Sequence, residues 1–153
     1  MAILGPDDAN KVQAFLAESL REPVTIEFFT QPRSPLVIPG RQECEYCEET
    51  EQLLTEVAGL SDKIQLSVHD LRGNPDDGKP FGISPEMVPA FVLRGENRGT
   101  VRYFGIPAGN EFTNFIQDLA AVSTGVTHLT QVTQDSLAQL PGGVHIRVFV
   151  TPT

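Results

Sequence analysis

Two hydrophobic periodicities follow one another in the first thirty residues. Apolar side chains first recur at the three- and four-residue spacing of one helix face, at Val12, Phe15, Leu16 and Leu20. With an N-cap at Asp7 or Asp8 and a stop at Pro23, this spacing predicts a helix over residues 8–21. The next stretch, VTIEFF, alternates and is rich in β-branched and aromatic side chains, which predicts a strand in the centre of a sheet.

A second helix is predicted directly after a long loop. Three prolines and a glycine interrupt residues 31–43, so no regular element is expected there. Beyond this loop, apolar side chains recur at helical spacing, at Leu53, Leu54, Val57 and Leu60. We expect a helix that begins at Cys44 and ends near Gly59, with Cys44 at its N-terminus.

The pattern that follows completes an α/β domain. In order, it indicates a strand at 63–70, a short helix in the turn-rich segment RGNPDDGKPFGIS, a strand at 90–94, a hairpin turn at 96–99, a strand at 100–104 and a helix at 109–122. The order β-α-β followed by β-β-α is therefore complete by residue 123.

The last thirty residues repeat the beginning of the chain at a spacing of 120. The shift places four apolar residues on identical ones: Val12 on Val132, Leu20 on Leu140, Val24 on Val144 and Ile26 on Ile146. Both copies pass from an amphipathic helix into an alternating strand, VTIEFFTQP in one and VHIRVFVTPT in the other, which indicates a duplicated unit. The alternative is that any helix followed by any strand aligns this well.

Size and charge narrow the possible functions. With 153 residues, 40% of them hydrophobic, the chain suffices for one well-packed domain with an appendage. Its net charge of −9 would repel phosphate backbones, so nucleic acid is not an expected partner. No apolar run approaches the roughly 20 residues of a membrane helix, and the start MAILGPDDANK lacks the features of a signal peptide. We expect a soluble cytoplasmic protein with no membrane partner.

The candidate chemistry lies in two cysteines, Cys44 and Cys47, spaced as CEYC. A cytosolic pair at this spacing is typically redox-active or metal-binding. Zinc needs about four ligands, and the histidines His69, His128 and His145 are widely separated, so neither a metal nor a cofactor is predicted. Two structural thiols are a further alternative. Thiol–disulfide exchange is favoured because the second thiol can displace a substrate by closing an intramolecular bond.

The predicted helix start assigns a role to each cysteine. Unpaired amide groups and the macrodipole at the first turn favour an anion, which should lower the pKa of Cys44 below the roughly 8.5 of a free thiol. We therefore predict Cys44 as the nucleophile and Cys47 as the resolving thiol. Neighbouring glutamates oppose the thiolate, which should make the pair more reducing. These are Glu43, Glu45, Glu48 and Glu49.

Other positions are candidates for supporting roles. Glu27 interrupts its apolar strand, so it either faces water or lies buried below the active-site helix, where a raised pKa would suit accepting the proton of Cys47. Val88-Pro89 precedes a strand, and the proline is either an ordinary strand start or a cis bond that brings its loop against the cysteines. Tyr46 would either pack against substrate or merely cover the helix.

These motifs resemble the thioredoxin superfamily over about residues 8–123, with a strand, a CxxC at a helix start, and VP before a strand and hairpin. More specifically, CEYC with MVPAFVL, RYFGIPAGNEF and the closing VFVTPT is similar to the N-terminal unit of the glutaredoxin-like protein disulfide oxidoreductases, which contain two thioredoxin-fold units in tandem. The resemblance implies a thioredoxin-like redox domain at 1–125, with a central mixed sheet flanked by helices. It also implies that 126–153 is the incomplete start of a second unit.

Roles for single residues also follow from the resemblance. Cys44 and Cys47 would be the redox pair, Pro89 would be a cis-proline facing the disulfide, and Val88 would offer its backbone to a substrate strand. The family continues after VTPT into a second CxxC, whereas this sequence ends at Thr153, so we expect a truncated chain. The segment GIPAGNE departs from the Gly-Gly-x-Asp-like element of glutaredoxins that use glutathione, so dependence on glutathione is not expected.

We therefore expect an enzyme, a thiol–disulfide oxidoreductase that acts on disulfide-bonded protein clients. A neighbouring version has one dedicated client, such as a peroxidase, with electrons from a thioredoxin reductase-like flavoprotein. The alternative is a redox-inactive thioredoxin-fold binding or docking module whose VP edge captures an extended peptide. Because a strand at 144–150 would lack partners from its own unit, we expect it to join the first sheet or to pair with another chain in a homodimer.

Overall fold

The computed structural model describes residues 2–33, 39–40 and 43–144 of the chain. Its helices and strands are, in chain order, α1 (Pro6–Ser19), β1 (Val24–Thr30), α2 (Cys47–Ala58), β2 (Ile64–Asp70), β3 (Ala90–Arg94), β4 (Val101–Phe104), α3 (Asn110–Thr124) and α4 (Gln131–Ala138). Two 3₁₀ segments, Pro75–Phe81 and Pro85–Met87, lie between β2 and β3. In the described ranges, no helix is long and apolar enough to cross a membrane.

The strands form one mixed sheet in the order β2-β1-β3-β4. β1 pairs with β2 in parallel and with β3 antiparallel, and β3 pairs antiparallel with β4. Because β1 and β2 run in the same direction, their carboxyl ends at Thr30 and Asp70 meet at one edge of the sheet. There the backbone N–H of Leu71 donates to the carbonyl of Thr30 at 2.9 Å. The predicted fold class, a thioredoxin-like mixed sheet with flanking helices, is confirmed.

The alternation of β1 divides the core into two layers. Val24, Ile26 and Phe28 belong to the larger layer, which they share with apolar side chains of α1, α2 and α3. Phe29 belongs to the smaller layer, with side chains of β3 and of the connection between β2 and β3. Phe28 and Phe29 are both fully buried, and each stabilises the fold by about 2 kcal/mol. The cysteine helix thus packs on one face of the sheet, and the 3₁₀ connection packs on the other.

The first helix begins two residues earlier than predicted. Pro6 is its first residue and Gly5 its N-cap, without a side-chain capping bond, so neither Asp7 nor Asp8 is the predicted cap. Proline suits the first helical position because the N–H that it lacks would have no partner there. The two aspartates lie in the first turn instead, where negative charge is favourable to the helix dipole.

A short helix follows the domain where the repeat of the first thirty residues places one. α4 begins after Thr130, whose hydroxyl accepts a hydrogen bond from the N–H of Thr133 at 3.3 Å, and no residue of this helix is buried. The strand predicted over 144–150 lies outside the described residues, apart from Val144. The division near residue 125, the second unit at 126–153 and a homodimer through its strand therefore stay predictions.

Candidate functional site

The two cysteines form an intramolecular disulfide, with Cα atoms 5.6 Å apart. Cys47 is the first residue of α2, and Cys44 lies in the turn that precedes this helix. Cys44 is 9% exposed and Cys47 is 2% exposed. Of the two, Cys44 is therefore the more accessible to an incoming sulfur atom.

The cysteine helix begins later than predicted, because Cys44 lies three residues before its first helical residue. The N-cap is Tyr46, whose φ of −115° and ψ of 15° are not helical. Both the N–H and the hydroxyl of the buried Thr50 donate to the Tyr46 carbonyl, at 2.9 and 2.6 Å, and hold the first turn. The helix dipole therefore acts on Cys47 from within that turn, and on Cys44 only across the preceding bend.

An open cleft of about 400 Å³ gives access to the disulfide. Its walls come from the segments that flank the sheet edge, and its lining residues are Gln31, Glu43, Cys44, Glu45, Pro85, Glu86 and Val88. Gln31 follows β1 and donates from Nε2 to the carbonyl of Pro85 at 2.9 Å, which ties the two walls together. Cys44 is the cysteine that this cleft exposes.

Val88 brings the start of β3 to the same cleft. Its backbone is extended, with φ of −75° and ψ of 150°, and the Val88–Pro89 peptide bond is cis. Pro89 itself is buried. Tyr46 is 48% exposed beside Cys47 but is not among the residues that line the cleft. The structure therefore brings Cys44 and Val88 together, and leaves Tyr46 on the outer side of the bend.

Acidic side chains surround the disulfide, and arginines offset part of their charge. All four predicted glutamates are exposed, namely Glu43, Glu45, Glu48 and Glu49. Glu43 accepts a hydrogen bond from Arg72 Nη2 at 2.8 Å. Glu48 lies 3.4 Å from Arg33 Nε, and both of these side chains are more than half exposed, so their ion pair contributes little. The surroundings of Cys44 thus stay acidic.

Glu27 is buried, as one of its two predicted environments requires, but on the sheet face opposite to α2. Its carboxylate accepts a hydrogen bond from Arg94 Nη1 at 3.1 Å and is hydrogen-bonded to His69 Nε2 at 2.8 Å. His69 stacks on Phe29 of the smaller core layer, with ring centroids 4.9 Å apart. Because neighbouring strand residues point to opposite faces, the prediction that Glu27 lies below the active-site helix is wrong. Its role as proton acceptor for Cys47 stays a prediction.

Arg72 is a site residue that the sequence analysis missed. It follows the end of β2, at the edge where the carboxyl ends of the parallel strands meet, and its side chain is only 18% exposed. The signal in the sequence is a lone arginine just after the segment IQLSVHDL, in a region otherwise rich in acidic residues. Its relation to the cysteines follows only from the parallel pairing of β1 and β2.

Comparisons with known proteins agree with this geometry. No family model matches the chain. An alkyl hydroperoxide reductase protein of Staphylococcus aureus strain Mu50 is 28% identical over 109 residues, which are 71% of this chain and 19% of that protein. A protein disulfide oxidoreductase from Aeropyrum pernix K1 superposes with a TM-score of 0.71 and 25% identity, over 90% of this chain and 56% of that one. A mutant of the alkylhydroperoxide reductase protein AhpF from Enterococcus faecalis gives a TM-score of 0.69 at 22% identity, over 90% of this chain and 61% of that one.

The chain has a thioredoxin-like fold. The predicted resemblance to the protein disulfide oxidoreductases is confirmed, as is the prediction of a thiol–disulfide oxidoreductase with a CxxC disulfide. The chain spans about a fifth of the length of the curated relatives that it matches. The activities of those whole proteins are therefore only proposals for this chain.

Proposed function

We propose that the chain reduces disulfides of client proteins through the Cys44–Cys47 pair. The observation that carries the proposal is the asymmetry of the two cysteines. Cys44 lines an open cleft at the sheet edge, whereas Cys47 is buried at the start of α2. An attacking thiol that is more accessible than the resolving thiol is what a two-step exchange requires.

The exchange moves two electrons to the client. In the reduced protein, the Cys44 thiolate attacks one sulfur of the client disulfide, forms a mixed disulfide and releases the first client thiolate, which takes up a proton. Cys47 then loses its proton and attacks Cys44 Sγ. This second step breaks the mixed disulfide, releases the second client thiolate and closes the Cys44–Cys47 bond seen in the structure.

The wall of the cleft opposite Cys44 is the proposed binding surface for the client. The extended backbone of Val88, which precedes Pro89 and faces the same cleft as Cys44, suits a client segment that lies alongside it as a strand. Tyr46 lies outside the cleft, so we propose that it contacts only the outer part of a bound protein. Clients with a flexible, extended disulfide loop should therefore be preferred.

Glu27 is the proposed acceptor for the proton of Cys47. Its burial and its hydrogen bonds to His69 and Arg94 hold its carboxyl group inside the domain, on the face of the sheet opposite to α2. If it takes part, Glu27→Gln should slow closure of the mixed disulfide and leave the first attack unchanged. Equal rates of closure in the two proteins, measured by rapid acid quenching, would remove this role.

The proposal extends to the electron donor and to the identity of the client. The relatives named as alkyl hydroperoxide reductase proteins support a dedicated client that reduces hydroperoxides, with a thioredoxin reductase-like flavoprotein as donor. A cytoplasmic setting belongs to this proposal because such compartments keep dithiols reduced. Turnover on a thiol peroxidase, compared with turnover on several unrelated oxidised proteins, tests whether the client is dedicated.

Serine variants of each cysteine test the proposal. With dithiothreitol as donor and insulin as a disulfide substrate, Cys44→Ser should lose turnover, since Cys47 is too well covered to make the first attack. Cys47→Ser should also lose turnover but accumulate a mixed disulfide, visible as a mass adduct on Cys44. Ser61→Ala, in the turn after α2, is the matched control and should keep wild-type turnover.

Two results would overturn the proposed function. Full turnover by Cys44→Ser would show that the pair does not carry the exchange. Binding of extended peptides that is unchanged by oxidation or by either serine variant, with no turnover in the wild type, would favour the docking-module alternative.

A further inference from the structure

We propose that Arg72 is a positioning residue for the exchange, which holds the Glu43 carboxylate and so favours the thiolate form of Cys44 in the reduced protein. The inference rests on the proposed function for its purpose. Its test, in contrast, uses the thiol alone and needs no client.

The turn that carries Arg72 is well fixed to the sheet edge. The backbone N–H of Arg72 donates to Asp70 Oδ1 at 2.8 Å, and the N–H of Asn74 donates to the Asp70 carbonyl at 2.9 Å. The preceding residue, Leu71, is buried and donates its N–H to the carbonyl of Thr30 at the end of β1. The base of the Arg72 side chain is thereby held next to the strand from which the active-site loop departs.

The guanidinium group of Arg72 bridges from this turn to the residue beside the nucleophile. Nη2 donates to Glu43 Oε2 at 2.8 Å, and Glu43 is bonded through the backbone to Cys44. Nε is buried and has no acceptor among the described residues. A covered guanidinium with an unused N–H is costly to keep unless its charge is compensated, so the contact with the Glu43 carboxylate is what stabilises it there.

Charge around Cys44 makes this contact important. Glu45 and Glu86 line the same cleft, so negative charge faces Cys44 from two segments. A carboxylate close to the sulfur disfavours the thiolate. By holding the Glu43 carboxylate against its own positive charge, Arg72 reduces the effect of the glutamate that is next to Cys44 in the chain.

The test is the rate at which the reduced protein is alkylated by iodoacetamide near pH 7, with the pH profile of that rate. In Arg72→Gln, the Glu43 carboxylate is no longer offset by the guanidinium, so it should raise the pKa of Cys44 and slow alkylation roughly three- to tenfold. Arg72→Lys keeps the charge and should stay within about twofold of wild type. Arg33→Gln, which removes the exposed pair with Glu48, is the matched control and should also stay within about twofold.

A cycle with Glu43→Gln tests whether Arg72 acts through Glu43. In the Glu43→Gln background, Arg72→Gln should change the alkylation rate by less than about twofold, because the carboxylate that Arg72 holds is gone. The same slowing in both backgrounds would mean that Arg72 acts on the sulfur directly. No slowing in either background would mean that Arg72 does not affect the thiol. Each of these results overturns the inference. If Arg72→Gln does not fold, failure of Arg72→Lys to match wild type overturns it instead.

Failure of this inference and failure of the proposed function are distinguishable. Unchanged alkylation in the Arg72 variants, with turnover still lost in Cys44→Ser, removes the role of Arg72 alone. Slowed alkylation in Arg72→Gln together with full turnover of Cys44→Ser removes the proposed function while leaving the effect of Arg72 on the thiol.

Discussion

Tyr103 shows how far its surroundings control the ionisation of a single side chain in this domain. It lies on β4, stacks on Phe91 with ring centroids 4.7 Å apart, and donates its hydroxyl to Asp118 Oδ2 at 2.5 Å. Burial, and then the hydrogen bond and negative charge of Asp118, raise the pKa of Tyr103 well above its ordinary value of 10. The neutral hydroxyl is thus part of what holds β4 to α3.

The raised pKa of Tyr103 predicts how stability depends on alkaline pH. Its contribution is fully present below about pH 10, where the residue is neutral in both states, and is lost as the pH rises toward the folded-state pKa. The free energy of unfolding of the wild type should therefore fall more steeply than that of Tyr103→Phe as the pH rises above about 10. Near pH 7 the variant should be less stable by about 1 kcal/mol. Parallel pH profiles in urea titrations would contradict this account.

The sequence predicts the chemistry of single residues better than it predicts the residues that they contact in the fold. The CEYC spacing was enough to predict the redox pair, whose disulfide the structure contains. The alternation around Glu27 left its environment open, because its partners His69 and Arg94 are 42 and 67 residues away in the chain. Contacts over such distances depend on strand register, which local periodicity does not specify.

At the scale of elements, the first turn of α2 determines how firmly the cysteines are held. Thr50 donates two hydrogen bonds to the Tyr46 carbonyl and is fully buried with Leu53 and Leu54 on the same helix. The turn therefore has one end in the core and the other at the disulfide. Loss of the hydroxyl contact should therefore loosen the bend between Cys44 and Cys47.

Two threonines on α2 provide a matched comparison. Thr50→Val should lower the free energy of unfolding by about 1 kcal/mol, because one hydrogen bond from a buried hydroxyl is lost at nearly constant volume. Thr55 makes the same contact, from its hydroxyl to the Glu51 carbonyl at 2.7 Å, but is exposed, so Thr55→Val should stay within about 0.5 kcal/mol of wild type. Equal losses in denaturant titrations of the two variants would contradict the role of burial.

Element boundaries were predictable where side-chain patterns mark them. The strand Ala90–Arg94 has the bounds predicted from its apolar run after Pro89. The start of α2 was predicted three residues too early, because its N-cap, Tyr46, makes no side-chain capping bond and is not a residue that favours this position. Turn geometry decides that start, and the turn leaves no clear pattern in the sequence.

At the scale of the whole molecule, Ser123 joins the two ends of the domain. This buried side chain near the end of α3 accepts hydrogen bonds from the backbone N–H groups of Arg21 and Glu22, at 2.8 and 3.0 Å. Its hydroxyl also donates to the carbonyl of Glu22 at 2.6 Å. The connection between α1 and β1 is thereby fastened to a helix about a hundred residues later.

Removal of this hydroxyl should destabilise the entire domain. Ser123→Ala leaves two N–H groups and one carbonyl without their partner, which should lower the free energy of unfolding by about 2–3 kcal/mol. Ser136→Ala on the exposed α4 loses a hydroxyl bond to the Val132 carbonyl and should change it by less than about 0.5 kcal/mol. A loss below about 1 kcal/mol for Ser123→Ala, by urea titration, would show that the fastening is unimportant.

The reduction potential of the Cys44–Cys47 pair tests the central claim most directly. The measurement equilibrates the protein in glutathione or dithiothreitol buffers of defined ratio and quantifies free thiols. Acidic side chains around Cys44 disfavour its thiolate, which makes the reduced form less stable relative to the disulfide. We therefore predict a value near the roughly −270 mV of thioredoxin, as a protein disulfide reductase requires. A value near or above about −180 mV, or a pair that does not open and close reversibly, would contradict the account.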